Sequence, residues 1–243
     1  MRVLLLGGTS EARTLAELLH PEVDVISSLA GRVPDPALPV GDVRIGGFGG
    51  VDGLRRWLIE SKIEAVVDAT HPYAATITVN AATACRMLQI PHLVIARPAW
   101  PLGEAIPAVA DRDAAKAVQD HDFQRVFLTT GRSGVEVFKD VDAWFLIRAV
   151  TAPDPHTLPG RHELVLSRGP YRYEEEHALL AEHRIDCLVT KNSGGDMTRP
   201  KLDAAAALGV AVVMIDGPPL PTGVGSVSTV DEAVAWVRAT DRS

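Results

Sequence analysis

Short apolar runs alternate with amphipathic stretches along the whole chain, a pattern that predicts strands separated by helices. Residues 3–6 are continuously apolar and run into Gly7-Gly8, which reads as a buried strand and a tight turn. Residues 11–19 follow as a helix, with Ala12, Leu15, Ala16 and Leu19 on one face. Further strands are expected at 23–27, 43–45, 65–68 and 92–96, and helices at 52–61, with Asp52 as N-cap, and at 75–88. Residues 29–50 are rich in Gly and Pro and read as loop around their one short strand. Arg97-Pro98-Ala99-Trp100-Pro101 breaks the pattern and marks a boundary. Beyond it, helices are expected at 113–120, 134–139, 174–183, 200–208 and 230–239. Strands are expected at 125–128, 144–149, 163–167, 187–190 and 210–215, with loop over 217–225.

Strands separated by helices imply parallel sheets with right-handed crossovers. The expected fold class is α/β: two Rossmann-like lobes, parallel sheets flanked by helices, with a cleft between them. Residues 1–98 form the nucleotide-binding lobe, and residues 99–243 a second lobe that supplies the substrate side. A shift of 120 residues lays 65–98 over 185–218 and aligns Thr70 with Thr190, Leu88 with Leu208, Ile95 with Ile215 and Pro98 with Pro218. An internal repeat accounts for this, and so does the general likeness of any two β-α-β units.

Composition narrows the class. A net charge of −7 over 243 residues argues against nucleic-acid and membrane-surface partners, while local basic clusters can still hold anions. Cys85 and Cys187 fall in apolar elements and read as reduced core thiols of a cytoplasmic protein. The apolar run at 3–6 is too short for a secretory signal, and 204–215 is shorter than the ~20 residues a spanning helix needs.

Five segments carry candidate chemistry. In Gly7-Gly8-Thr9-Ser10-Glu11-Ala12, Gly7 and Ala12 fit the first and third positions of the G-x-G-x-x-G/A dinucleotide fingerprint. Thr9 takes the second position, and the hydroxyls of Thr9 and Ser10 are candidate phosphate donors. After the second strand, Ser28, Gly31 and Arg32 stand where NAD sites usually place a carboxylate, which favours the 2′-phosphate of NADP(H). Asp68-Ala69-Thr70-His71-Pro72-Tyr73-Ala74 crowds polar groups at a strand end, where open α/β sheets collect ligands. Thr190-Lys191-Asn192-Ser193-Gly194-Gly195-Asp196 has the makings of an anion cradle. Arg168, Tyr171, Arg172 and Tyr173 suit a flat, anionic, conjugated ligand. The run Glu174-Glu175-Glu176 reads as the first turn of a helix. No P-loop, HExxH, GxSxG or clustered Cys/His metal motif is present.

Together, Gly7-Gly8-Thr9-x-Glu11-Ala12-Arg13, Asp68 to Ala74, Gly169-Pro170-Tyr171 and Lys191 to Gly195 resemble the precorrin-6A reductase family of cobalamin biosynthesis. The resemblance spans nearly the whole chain. It implies an NADPH-dependent reduction of precorrin-6A to precorrin-6B, at a carbon–carbon double bond of the ring D region, with no flavin or metal. On that reading the pyrophosphate lies at Gly7, Gly8, Thr9, Ser10 and Glu11, and the 2′-phosphate near Ser28, Gly31 and Arg32. The nicotinamide then reaches Thr70 and His71. The carboxylates of the tetrapyrrole meet Arg168, Arg172 and Lys191, with Arg132, Arg199 and Lys201 as further cations. Tyr73, Tyr171, Asn192, Ser193 and Gly194 complete the substrate set. His71 is the first candidate proton donor and Lys191 the second. A cobalt-precorrin-6A reductase, another NADP-dependent reductase and a nucleotide-sensing module without turnover are the alternatives.

Overall fold

The computed structural model describes residues 1–31 and 38–241. It contains two six-stranded sheets. In chain order the elements of the first half are β1 (Arg2–Leu6), α1 (Ser10–Leu19), β2 (Asp24–Leu29), β3 (Asp42–Ile45), α2 (Gly50–Glu60), β4 (Ala65–Asp68), α3 (Ala75–Leu88) and β5 (His92–Ile95). There follow β6 (Ile106–Ala108), α4 (Asp111–Asp120), β7 (Arg125–Leu128), β8 (Trp144–Ala149), β9 (His162–Leu166), α5 (Tyr173–Glu182), β10 (Cys187–Lys191), α6 (Pro200–Leu208), β11 (Ala211–Ile215), β12 (Gly225–Val227) and α7 (Val230–Thr240). The first sheet runs β12-β5-β4-β1-β2-β3 and the second β6-β11-β10-β7-β8-β9, every pairing parallel. Parallel sheets need both faces covered. In the first sheet Val3 and Leu5 point to α1 and α7, and Leu4 and Leu6 to α2 and α3, as the period-2 alternation of a strand requires.

Contacts divide the chain into one unit of Met1–Pro98 with Pro218–Ser243 and a second of Ala99–Gly217. This corrects the expected division at its far end, where 218–243 were assigned to the second lobe. The reason is pairing and burial: β12 adds to β5, and α7 buries Ala233, Val234 and Val237 against Leu15, Ala16 and Leu19 of α1. Each sheet takes its sixth strand from beyond a chain crossing. β6 follows β5 in sequence but pairs with β11, and β12 follows β11 but pairs with β5.

Five strands of each sheet share one order, β5-β4-β1-β2-β3 and β11-β10-β7-β8-β9, which supports a repeated unit. Leu88 and Leu208 both end a helix, and Ile95 and Ile215 both end a strand. The proposed match of Thr70 with Thr190 does not hold: Thr70 lies beyond β4, whereas Thr190 is a buried residue inside β10.

Two local expectations change. α2 begins at Gly50 with left-handed Gly49 as its cap, and Asp52 instead pairs with Arg55 in the first turn. A side chain at Gly53 would strike the Phe48 carbonyl at 1.7 Å, so only glycine lets the chain wind so tightly into this helix. The helix expected at 134–139 is a pair of 3₁₀ turns, Arg132–Gly134 and Glu136–Phe138. Among the described residues no helix is long and apolar enough to cross a membrane.

A chain ended at Gly217 loses β12 and α7 and leaves the α1 face of the first core open. Each fully buried aliphatic side chain contributes about 1.5–3 kcal/mol. The expected outcome is a urea transition that splits or shifts to lower denaturant relative to the full chain. An unchanged single transition would show that the C-terminal segment does not belong to the first core.

Candidate functional site

In the first unit, the residues singled out in the sequence gather at the carboxyl ends of β1, β2 and β4. Gly7 N–H donates to Ser28 O at 3.0 Å, and a Cβ on Gly7 would press to 3.3 Å from the Ala12 Cβ. Gly8 has φ +113°, a conformation open to glycine, and nothing lies within 4 Å of where its Cβ would be. The turn therefore lets a ligand approach the backbone closely just before α1. Thr9 is the N-cap of that helix: its Oγ1 accepts from Ala12 N at 3.2 Å and donates to Ala69 O at 2.6 Å. This is a correction to the expected role of its hydroxyl, whose proton is already committed. Ser10 Oγ donates to Glu11 Oε2 at 2.8 Å, and Glu11 pairs with Arg97 at 3.0 Å. Burial pushes the Glu11 carboxyl up, but its backbone hydrogen bond and the Arg97 guanidinium hold it below the usual carboxylate range.

At the end of β2, Ser28 is buried and Gly31 has φ +70°, with Ile45 Cγ2 at 3.0 Å from the position of a Cβ. Arg32 lies outside the described residues. Among the described residues a cation at this strand end is Arg44 of β3, which the sequence reading missed. Arg44 Nη1 donates to Ser28 Oγ and to Gly46 O, both at 2.9 Å, and its guanidinium lies 3.8 Å from the Phe48 ring centroid. Burial draws its pKa below the ordinary guanidinium value. The signal was legible: a lone arginine in a four-residue strand that precedes Gly46-Gly47-Phe48.

At the end of β4, Asp68 is buried. It accepts from Thr70 N at 2.9 Å, from Thr70 Oγ1 at 2.6 Å and from Thr78 Oγ1 at 2.6 Å. Asp68 and Thr70 thus fix the loop that carries His71, and the Thr70 hydroxyl is turned inward. His71 is exposed. Its Nδ1 accepts from Tyr73 N at 3.3 Å, which puts the neutral ring's proton on Nε2, and the two rings lie 5.6 Å apart.

In the second unit, Lys191 ends β10, and its Nζ donates to Thr130 O at 3.0 Å, with Asp111 Oδ1 at 4.0 Å. Asn192 clamps Trp100: its side chain accepts from Trp100 N at 2.8 Å and donates to Trp100 O at 3.1 Å. Ser193 is buried. Gly194 and Gly195 have positive φ, and Gly195 O accepts from Trp100 Nε1 at 3.0 Å. Arg168 and Arg172 are exposed. Tyr171 is half-buried, its OH donating to Ser167 O at 3.1 Å.

Beneath these residues is a group that the sequence reading did not assemble. Arg148, inside β8, forks Glu176 of α5 through Nη1 at 3.0 Å and Nη2 at 2.7 Å, with both side chains buried. Its guanidinium lies 4.1 Å from the Tyr171 centroid and 4.7 Å from that of Phe127. Glu176 belongs to the acidic run that forms the first turn of α5 as expected, and its carboxylate turns inward. The legible signal was a charge within the apolar run Trp144-Phe145-Leu146-Ile147-Arg148-Ala149.

Removing one member of a buried ion pair strands the other, at a cost of about 3–5 kcal/mol. Glu176→Ala is expected to lower the unfolding free energy, measured in urea, by about that amount, whereas Glu174→Ala at the exposed face changes little. Equal effects would show that Glu176 carries no special burden.

A family model described as Precorrin-6x reductase CbiJ/CobK matches residues 2–238. A precorrin-6A reductase of Mycobacterium tuberculosis is 66% identical over 236 residues, covering 97% of each chain. One of Rhodococcus erythropolis is 54% identical over 242 residues, again covering 97% of each. A solved structure described as CobK precorrin-6A reductase superposes with a TM-score of 0.90 at 33% identity, covering 99% of this chain and 97% of that one. The chain therefore belongs to the precorrin-6x reductase CbiJ/CobK family.

Proposed function

We propose that this protein reduces precorrin-6A in cobalamin biosynthesis, with NADPH held on the first unit and the anionic tetrapyrrole on the second. The observation that carries the cofactor reading is the turn at the end of β1. Gly8 leaves the backbone bare on the approach to a helix N-terminus, the arrangement that suits a pyrophosphate. The 66% identity to a precorrin-6A reductase supports the substrate.

The residues fit the dinucleotide. Gly7, Gly8 and the N–H groups of Ser10 and Glu11 would hold its pyrophosphate, with Thr9 fixing the helix start and the Glu11–Arg97 pair fixing the first turn. Arg44, beside Ser28 and flat on Phe48, would meet the 2′-phosphate. When bound, NADPH supplies a hydride to one carbon of the double bond, and the neighbouring carbon takes a proton. His71, on a loop held by Asp68 and Thr70, would give that proton as the imidazolium, in which Nδ1 is also protonated and no longer accepts from Tyr73 N. Lys191, braced by Thr130, would offer its charge to a substrate carboxylate, alongside exposed Arg168 and Arg172.

Arg44→Ala is expected to raise the KM for NADPH about 10- to 100-fold, because a hydrogen bond to a charged group contributes about 1.5–3 kcal/mol. The KM for NADH should barely move. Steady-state assays at the nicotinamide absorbance band read both, and an equal rise for the two cofactors would remove Arg44 from the 2′-phosphate. His71→Ala is expected to lower kcat about 10²- to 10⁴-fold, the usual yield of a positioned acid, with little change in the KM for NADPH. Single-turnover hydride transfer at the wild-type rate would take His71 out of the chemistry.

A further inference from the structure

Lys201 is a buried cation of the second unit. Its side chain is 6% exposed, yet no carboxylate or carbonyl hydrogen-bonds its Nζ among the described residues. The other features of the site add to the cost. It stands in the first turn of α6, where the helix dipole disfavours a cation. Arg148 repels it. Glu176, the one carboxylate coupled to it, is already forked by Arg148. The nearest aromatic face is Trp100, whose centroid is 5.7 Å from Nζ. Among the described residues no other charge pairs with it: Arg199, the N-cap of α6, and Asp203 pair with each other at 3.4 Å, and β11 carries no titratable side chain. Two buried cations thus share one buried anion, and the group is one negative charge short.

A fold selected for stability alone would place a methionine or leucine here. We propose that the Lys201 ammonium is a binding site for a carboxylate group of the ligand of this unit, which supplies the missing negative charge beside the Arg148–Glu176 pair. This inference rests on the reading that an anionic tetrapyrrole binds the second unit. Of the further cations named from the sequence, it singles out Lys201 as the specific anchor, one step deeper than the exposed arginines Arg168 and Arg172.

Burial, with repulsion from Arg148, lowers the Lys201 pKa to about 8, while Glu176 opposes the shift. The folded value lies below the unfolded one, so between pH ~8 and the ordinary lysine range the unfolded chain binds more protons. Stability of the unliganded protein therefore rises with pH in that window. Binding of a carboxylate requires the protonated amine and weakens as pH rises through about 8.

The test uses the full-length protein, with uroporphyrin, an octacarboxylate tetrapyrrole, as probe. Its Kd is measured by equilibrium dialysis at pH 7 and pH 9 for the wild type, Lys201→Met and Lys116→Met, with a melting curve for each. Lys116 is an exposed residue of α4 and controls for loss of one positive charge. The expected result is a Kd at least tenfold weaker for Lys201→Met at pH 7, with Lys116→Met like the wild type. The wild type and Lys116→Met should both lose affinity between pH 7 and pH 9 beyond the drift seen with Lys201→Met, and Lys201→Met should melt at or above the wild-type temperature. A wild type that fails to bind uroporphyrin overturns the tetrapyrrole reading of the second unit, and the anchor with it. A Lys201→Met protein that binds like the wild type, with the same pH response, overturns the anchor alone. A Lys201→Met protein that melts well below the wild type assigns the lysine to the fold and also overturns it.

Discussion

A parallel sheet cannot be built from hairpins. Each strand must be followed by a crossover before the next can pair, and so the loops leaving the carboxyl ends of all the strands collect along one edge. Both units obey this constraint in every pairing. It brings Gly8, Ser28, Thr70 and His71 together from sequence positions far apart. It also brings together the Lys191 loop, the first turn of α6 and the end of β8 in the second unit. The helices matter for the same reason: α1 begins where β1 ends, with its N–H groups facing the edge where an anion would lie.

The two units meet the demands of anionic ligands differently. In the first, the means are backbone and caps: glycines with positive φ, a threonine that satisfies one helix N–H, and an inward aspartate that takes two hydrogen bonds from its loop and one from α3. Charge is used sparingly there, with Glu11 against Arg97 and Arg44 against an aromatic face. In the second unit charge itself is buried. An end-on fork between Arg148 and Glu176 lies under Tyr171, and an extra lysine sits against the indole of Trp100. Buried charge of this kind is weak evidence for stability and better evidence for a ligand.

Much of this was legible in the chain. The runs that form β4, β7 and β8, and the helix of α6, stand in the structure where periodicity places them, because buried parallel strands are continuous apolar runs. What escaped has physical reasons. β6 is three residues with a central proline, and β12 is Gly-Ser-Val. Both are edge strands, where a short, poorly patterned segment is tolerated. The crossing of these strands between the sheets leaves no local trace, so 218–243 could not be assigned from periodicity. In the sites, glycines and loop histidines were visible as motifs. The competition for side chains was not: Thr9 and Asn192 look like ligand groups, and their hydrogen bonds to Ala69 and to Trp100 are seen only in the structure. Arg148 and Arg44 lay inside strands, where an isolated cation is the clue to look for.

The bare turn before α1 is the proposed seat of a nicotinamide dinucleotide. Calorimetric titration of NADPH into the wild type and into Gly8→Val tests it most directly, because the substitution fills that approach and forces β-branched backbone into a glycine conformation. The account requires saturable heat with the wild type and none with the variant, while unit 2 of the variant keeps its unfolding transition. Absence of heat with the wild type, or undiminished binding by Gly8→Val, would contradict it.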